Sequence, residues 1–127
     1  MRIDILTLFP EMLEATLATS IIKRAQDGGQ VEIFVHDIRD WADNKHRKVD
    51  DRPYGGGPGM VMMCQPLHDA VQEVERQLNG SPVRIHFTPQ GEVLKQERVE
   101  QLACEKHLLL IAGHFEGIDE RVIETLD

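Results

Sequence analysis

The stretch that most constrains this chain is a glycine-rich run over residues 50–63, which reads Asp-Asp-Arg-Pro-Tyr-Gly-Gly-Gly-Pro-Gly-Met-Val-Met-Met. Its glycines have no Cβ, so their backbone can adopt positive φ and another molecule can approach it closely. Pro53 and Pro58 restrict the same segment. An ordinary connector needs roughly one or two such residues, and this run has four glycines and two prolines. We therefore predict a functional loop. It is not a Walker loop, because no Gly-Lys-Ser/Thr closes it.

The charge of the chain limits which partners its whole surface can bind. A formal net charge of −8 over 127 residues argues against a surface that binds polyanions everywhere. The exception is the segment 44–52, in which four fixed positive charges face two aspartates; these are Lys45, Arg47, Lys48 and Arg52. We expect any nucleic-acid contact to be local and to include this segment.

Hydropathy and cysteine usage place the chain in a broad class. No apolar run approaches the roughly 18 residues of a membrane span, and the first residues lack the basic and apolar regions of a signal peptide. These features predict a cytoplasmic protein with no membrane partner. The histidines and the two cysteines show no metal-ligand spacing, so we assign no metal ligand.

Hydrophobic periodicity predicts strands that alternate with helices. Apolar or alternating runs indicate strands at 2–9, 31–35, 60–63, 83–87 and 107–112. Spacings of three and four indicate helices at 10–25, 67–78, 93–103 and 118–126. This order is typical of a single α/β domain with a mostly parallel sheet and flanking helices.

Two short turns follow predicted strands and are candidates for a ligand site. The turns are Thr-Pro-Gln-Gly at 88–91 and Gly-His-Phe-Glu-Gly at 113–117. Ligands on parallel sheets bind beyond the carboxyl ends of the strands, so we expect both turns to border one small molecule. No Gly-x-Gly-x-x-Gly opens a helix after the first strand, which argues against an NAD site. A nucleotide and S-adenosylmethionine both stay open.

Four motifs in order resemble those of the bacterial tRNA (guanine-N1)-methyltransferases of the SPOUT superfamily. They are Met-Arg-Ile-Asp-Ile-Leu-Thr-Leu-Phe-Pro at 1–10, the glycine-rich run from residue 50 to 60, the turn at 88–91, and Gly-His-Phe-Glu-Gly-Ile-Asp-Glu-Arg at 113–121. The resemblance implies methyl transfer from S-adenosylmethionine to N1 of the guanine 3′ of the anticodon. It also implies a homodimer and a trefoil-knot domain. It further implies that residues 1–127 are one partial cofactor-binding domain, incomplete at its carboxyl end, without the family's linker and helical tRNA-binding domain.

The resemblance carries site residues over to matching positions. For the cofactor they are Thr88, Pro89, Gly113, Glu116 and Gly117. For the tRNA they are His46, Asp50, Arg52, Pro58, Gly59 and His114. The family's catalytic base and assisting arginine fall beyond Asp127, so the catalytic residues are unknown. A bound Mg²⁺ near Glu116 is left open.

Departures from the family's pattern and two rival functions bear on these expectations. His114 stands where the family usually has arginine, Phe115 where it has tyrosine, and Thr88 where it has serine. One rival is a non-catalytic fragment that binds S-adenosylmethionine or RNA, or that dimerises. The other is a different α/β nucleotide-binding enzyme, such as a phosphohydrolase. Under the favoured interpretation, residues 1–127 alone are not expected to methylate tRNA, because a general base is missing.

Overall fold

A computed structural model of the chain describes residues 1–114 and 117–126. Its centre is a four-stranded, all-parallel sheet in the order β2-β1-β6-β5. The strands of this sheet are β1 (Arg2–Thr7), β2 (Glu32–Asp37), β5 (Val83–His86) and β6 (His107–Ile111). The helices are α1 (Pro10–Leu17), α2 (Ser20–Asp27), α3 (Cys64–Arg76), α4 (Gln96–Ala103) and α5 (Glu120–Leu126). The predicted α/β architecture with a mostly parallel sheet is confirmed.

One face of the sheet carries the hydrophobic core. Leu6 of β1 and Leu109 of β6 are fully buried there. α3 covers them with an apolar stripe at the spacing of one helix face, namely Leu67, Ala70, Val71 and Val74. α5 packs beside α3 and contributes Val122. Trp41, in the short 3-10 helix Ile38–Trp41, packs against the same core.

The opposite face of the sheet is covered more thinly. α1, α2 and α4 contain no buried residue, although apolar residues of the strands point toward this face. The predicted helix over 10–25 is wrong in one respect: the chain breaks into α1 and α2 at a turn in which Ser20 has φ 53°. α4 begins at Gln96 and not at 93, which leaves Val93 and Leu94 exposed. In the part of the chain that the structure describes, no helix combines the length and the apolarity that crossing a bilayer requires.

The glycine-rich run forms a hairpin apart from the main sheet. β3 (Asp50–Asp51) and β4 (Val61–Met62) pair antiparallel, with Asp50 opposite Met62. The apolar strand predicted at 60–63 is therefore only two residues long and belongs to this hairpin. Residues 53–60 are its loop, called here the hairpin loop.

A buried carboxylate ties the first two strands together. Asp4 on β1 is fully buried. Its Oδ1 lies 2.7 Å from Nε2 of His36 on β2, and its Oδ2 accepts a 2.8 Å hydrogen bond from Nε of Arg2. Burial alone would raise the pKa of Asp4, but the hydrogen bonds from His36 and Arg2 outweigh it, so this pKa lies below its usual value.

Candidate functional site

The two predicted turns lie side by side at the carboxyl edge of the sheet. β5 and β6 are neighbouring parallel strands, with His86 in register with Ile111. We call residues 87–91, which follow β5, the first turn. We call residues 112–117, which follow β6, the second turn. The amide of Phe87 donates a 3.5 Å hydrogen bond to the carbonyl of Ile111, so the strands stay paired up to the turns. The prediction that the turns share one edge is confirmed.

The first turn is closed tightly by its own backbone. The Thr88 carbonyl accepts a 3.1 Å hydrogen bond from the amide of Gly91. The Thr88 hydroxyl accepts a 3.3 Å hydrogen bond from the amide of Gln90. A Cβ at Gly91 would lie 3.3 Å from the Thr88 carbonyl oxygen, so a side chain there would crowd the turn. Pro89 restricts the backbone between these two residues, so Thr88 and Pro89 are held in one arrangement.

The second turn comes close to the end of β5 at Gly113. A Cβ built there would lie 3.4 Å from Cδ1 of Ile118 and 3.7 Å from Nε2 of His86, the residue that precedes the first turn. Gly113 therefore leaves room for both neighbours. Gly117 has φ 146°, a conformation that side chains rarely adopt. Glu116, which we assigned to the cofactor, lies outside the described residues, as does Phe115.

His86 is a titratable residue at the end of β5, directly before the first turn and close to Gly113. Burial lowers its pKa, and the charge of Glu120 opposes this effect only in part. Burial therefore favours the neutral imidazole of His86 over the charged form. No functional role was predicted for His86, because a histidine that alternates with apolar residues in a strand is usually structural.

The hairpin is fastened to the second turn by Met62. Its amide donates a 2.9 Å hydrogen bond to the carbonyl of Gly117, and its carbonyl accepts a 3.0 Å hydrogen bond from the amide of Asp119. Its sulfur lies 3.4 Å from the amide of His114, and its side chain is only 1% exposed. The residues assigned to the cofactor and those assigned to tRNA are thus joined through one buried methionine.

The hairpin loop projects into solvent. Gly55, Gly56, Gly57 and Gly59 all have positive φ. At the first three, a Cβ would meet nothing within 4 Å. Pro58 and Gly59 are exposed, and so is Arg52, which directly precedes the loop. Asp50 in β3 is partly buried. Four of the six residues assigned to tRNA therefore lie on this hairpin.

The positive segment before the hairpin is partly neutralised. Arg47 has φ 51° and pairs with Asp40 at 2.5 Å, and Lys48 pairs with Asp51 at 3.6 Å. Lys45 and Arg52 make no salt bridge to any residue in 1–114 or 117–126. His46 is exposed in the turn 44–48. No hydrogen bond, ion pair or ring contact joins its side chain to another assigned residue in the described part of the chain. Among the described residues, Lys45 and Arg52 are thus the two cations of this segment that have no salt bridge and are available to bind a phosphate.

Sequence reasoning missed two residues at the carboxyl edge of β1 and β2. Phe9 packs edge-on against the His114 ring, with centroids 4.8 Å apart. The guanidinium of Arg39 lies 5.5 Å from the Phe9 centroid and donates a hydrogen bond to the Leu8 carbonyl. His114 is thereby held against the end of β1. The available signal was Pro10, which marks the point where the strand ends and a helix begins.

A cavity of about 570 Å³ opens under α4. It runs along β5 and β6 from Thr88 to Met1 and is lined mostly by apolar side chains, including Leu108 and Leu110. It reaches the first turn but not Gly113, so the two turns and not this cavity define the candidate site. Within the described residues, no three His, Cys, Asp or Glu side chains are grouped as a metal site would require.

Comparison with known proteins gives consistent matches along the whole chain. The family described as tRNA (Guanine-1)-methyltransferase TrmD matches residues 1–127. A tRNA (guanine-N(1)-)-methyltransferase of Ruminiclostridium cellulolyticum is 49% identical over 99% of this chain and 54% of its own length. One from Chloroflexus aurantiacus is 54% identical over 99% of this chain and 50% of its own length. The chain therefore spans about half the length of the curated relatives it matches.

A solved structure shares the fold. The crystal structure of tRNA (m1G37) methyltransferase from Aquifex aeolicus superimposes with a TM-score of 0.88 at 35% sequence identity. The match covers 98% of this chain and 56% of that one. The similarity therefore extends over both turns and the hairpin, and also over the sheet that positions them.

Proposed function

The chain belongs to the tRNA (guanine-1)-methyltransferase family, and on that basis we propose that the full-length protein methylates N1 of the guanine immediately 3′ of the anticodon. S-adenosylmethionine is the proposed methyl donor. The observation that carries this proposal is the placement of Gly113 beside His86, which precedes the first turn, together with the hairpin held by Met62. Donor and acceptor sites are neighbours in that arrangement, as group transfer requires.

The cofactor is proposed to lie between the two turns. Thr88 and Pro89 present one wall, Gly113 and Gly117 the other, and Glu116 is proposed to lie beside it. S-adenosylmethionine supplies an electrophilic methyl group on a positively charged sulfur. A neutral His86 and small backbone-rich turns suit that charge, because they add no repulsive cation and allow close approach.

The chain's own residues then position the acceptor. N1 of guanine carries a proton that must be removed, and negative charge develops at O6. We assign no residue of this chain as the base; the catalytic residues are expected beyond Asp127. The hairpin, through Asp50, Arg52, Pro58 and Gly59, is proposed to hold the tRNA beside the second turn. His46 and His114 complete the proposed contacts.

Further properties follow the same proposal. Residues 1–127 form one partial cofactor-binding domain, and the family's trefoil knot and homodimer are proposed for the full-length protein. The thin cover of α1, α2 and α4 over one sheet face is consistent with further packing there. Because tRNA is the substrate, we place the protein in the cytoplasm. A Mg²⁺ ion stays a proposal that depends on Glu116 alone, since the described carboxylates form no metal group.

The two rival functions are not favoured. A phosphohydrolase would use the positive segment 44–52 for phosphate, yet Arg47 and Lys48 are engaged with aspartates. A non-catalytic fragment would describe residues 1–127 alone, but the family match favours a methyltransferase as the full-length protein.

The test is methyl transfer by the full-length protein. Labelled S-adenosylmethionine is supplied with a tRNA that has guanine 3′ of the anticodon, and with the same tRNA carrying adenine at that position. We expect label at N1 of the guanine and none in the adenine variant. Label at another atom, or equal labelling of both tRNAs, would contradict the proposed acceptor.

A further inference from the structure

We propose that Tyr54 in the hairpin loop is a base-stacking residue that holds an unpaired nucleobase of the tRNA next to the target guanine. The inference rests on the proposed function and adds to it a residue that determines where the RNA sits. The starting observation is exposure. Tyr54 is the chain's single tyrosine, and its relative exposure is 107%, higher than that of any other large hydrophobic residue among those described.

Tyr54 differs from Phe9 and Phe34, two other exposed aromatic residues, in its lack of a ring or cation contact among the described residues. Phe9 packs on His114, and Phe34 receives the guanidinium of Arg2 at 4.3 Å. The Tyr54 ring makes no ring contact, cation contact or hydrogen bond with any residue in 1–114 or 117–126. Complete exposure of a large aromatic side chain adds nothing to the hydrophobic core, and the Tyr54 ring is assigned to binding.

The backbone presents this ring in a defined way. The amide of Gly56 donates a 3.0 Å hydrogen bond to the carbonyl of Pro53, which makes a turn with Tyr54 at its corner. The hairpin base is fixed to the second turn through Met62. Tyr54 is therefore carried on the same element that borders the candidate site. It is not on a remote surface.

The chemistry around Tyr54 selects a nucleobase as the occupant. Arg52 lies two residues away, exposed and without a salt bridge in the described part of the chain. An aromatic ring beside a cation is the combination that holds single-stranded nucleic acid, with the base on the ring and the phosphate at the charge. Apart from the partly buried Met60, the other loop residues are glycine and proline, which offer too little apolar area for a protein partner. Unpaired bases in RNA loops are the ones available for such stacking.

The test uses four variants of the full-length protein: Tyr54→Ala, Tyr54→Phe, Tyr54→Trp and the control Ile21→Ala. Ile21, on α2, is 74% exposed and lies away from the hairpin. We expect Tyr54→Ala to weaken tRNA binding by roughly 5- to 150-fold, the loss of one stacked base. Tyr54→Phe, Tyr54→Trp and Ile21→Ala should bind tRNA within about threefold of wild type, a difference well below that loss. S-adenosylmethionine affinity should be unchanged throughout.

A spectroscopic measurement separates stacking from a merely structural effect. The fluorescence of the new indole in Tyr54→Trp, taken as the difference from the parent protein, should be quenched when tRNA binds. Unchanged tRNA affinity of Tyr54→Ala, or Tyr54→Phe as weak as Tyr54→Ala, would overturn the role of Tyr54 while leaving the proposed function in place. A wild-type protein that does not bind tRNA would overturn both.

Discussion

The glycines of the hairpin loop and Gly113 of the second turn differ in backbone conformation and in surroundings. In the hairpin loop, Gly56 and Gly57 have φ of 89° and 127°, and a Cβ at either would meet only solvent. In the second turn, Gly113 does not have positive φ, yet a Cβ would lie 3.4 Å from Ile118. The hairpin-loop glycines are required for backbone conformation, whereas at Gly113 a Cβ fits in ordinary contact and a larger side chain would meet Ile118 or His86.

This difference separates two kinds of damage. A side chain larger than a methyl group at Gly113 would press on Ile118 or His86, so the proposed cofactor site should lose affinity. A side chain in the hairpin loop would strain only a loop that is free to relax, so the loss should be smaller and should appear with tRNA. Substitutions in the two regions should therefore have separate effects, one on S-adenosylmethionine affinity and the other on tRNA affinity.

The largest effect is expected for Gly113→Val. Two further carbons on Cβ would overlap Ile118 or His86, and overpacking of this kind costs about 1–3 kcal/mol. S-adenosylmethionine affinity should fall by roughly 5- to 150-fold, as measured by calorimetry on the full-length protein. Gly113→Ala, whose Cβ fits at the limit of contact, should retain most of the affinity. Equal affinity of the valine variant in a folded protein would remove Gly113 from the site.

A change away from both regions tests whether either effect is only a loss of fold. Asp4→Asn removes the buried carboxylate that His36 and Arg2 share, and loss of charged hydrogen bonds should lower the free energy of unfolding by about 1.5–3 kcal/mol. At temperatures where the variant is folded, both ligand affinities should match wild type. If Asp4→Asn weakens S-adenosylmethionine binding as much as Gly113→Val, the comparison between the two regions fails.

The same carboxylate gives a pH dependence with a definite sign. Because the pKa of Asp4 is lower in the folded state, its stabilising effect is fully present above its unfolded pKa of about 4. The effect is lost as the pH falls through the folded pKa. Urea unfolding should be measured between pH 2 and about 6. The free energy of unfolding should fall on acidification in both proteins, and it should fall less steeply in Asp4→Asn than in wild type. Parallel curves for the two proteins would contradict this assignment.

An intermediate effect is expected for Gly57→Ala, and Gly80→Ala is the matched control. Gly80 has φ 119° and is equally open, but it lies in the connection between α3 and β5. Each substitution introduces backbone strain of about 1–3 kcal/mol, part of which an exposed loop relieves by relaxing. We expect only Gly57→Ala to weaken tRNA binding, by roughly threefold to tenfold. Equal losses in both variants would show that the hairpin loop is not a contact surface.

The smallest effect concerns the salt dependence of tRNA binding. Lys45 and Arg52 make no salt bridge within the described chain, so each is available for a phosphate. Both phosphate contacts are removed in the double variant Lys45→Gln/Arg52→Gln. The plot of log affinity against log salt should therefore become less steep, by about two in the magnitude of its slope. The control Arg47→Gln/Lys48→Gln removes cations that aspartates already engage, so it should lower the slope less. The reverse order would contradict the ion pairing seen here.

Periodicity predicted the sheet and its edge because long apolar runs leave few alternatives. His107 to Ala112 is nearly continuous and could only be a buried strand, and the turn after it then had to lie at the carboxyl edge. The pairing of β5 with β6, which makes the two turns neighbours, confirms this. The family resemblance added the roles of the turns, which spacing alone left open between nucleotides and S-adenosylmethionine.

Other features could not be predicted because their signals are short or depend on distant residues. Two-residue strands such as Asp50–Asp51 have no period to detect, and their pairing with Val61–Met62 depends on Met62 meeting Gly117 and Asp119. The break at Ser20 interrupts a spacing that suits one continuous helix. The pairing of Arg47 with Asp40 depends on a left-handed residue in the turn, which the sequence 44–48 does not specify.

Hydrogen exchange of the full-length protein tests the separation of the two regions most directly. Amides would be followed over minutes to hours, first with S-adenosylmethionine alone and then with tRNA added. The account predicts that S-adenosylmethionine protects amides of residues 86–91 and 113–119 and leaves 54–57 unchanged, and that tRNA then protects the hairpin loop. Protection of the hairpin loop by S-adenosylmethionine, with the two turns unaffected, would contradict it.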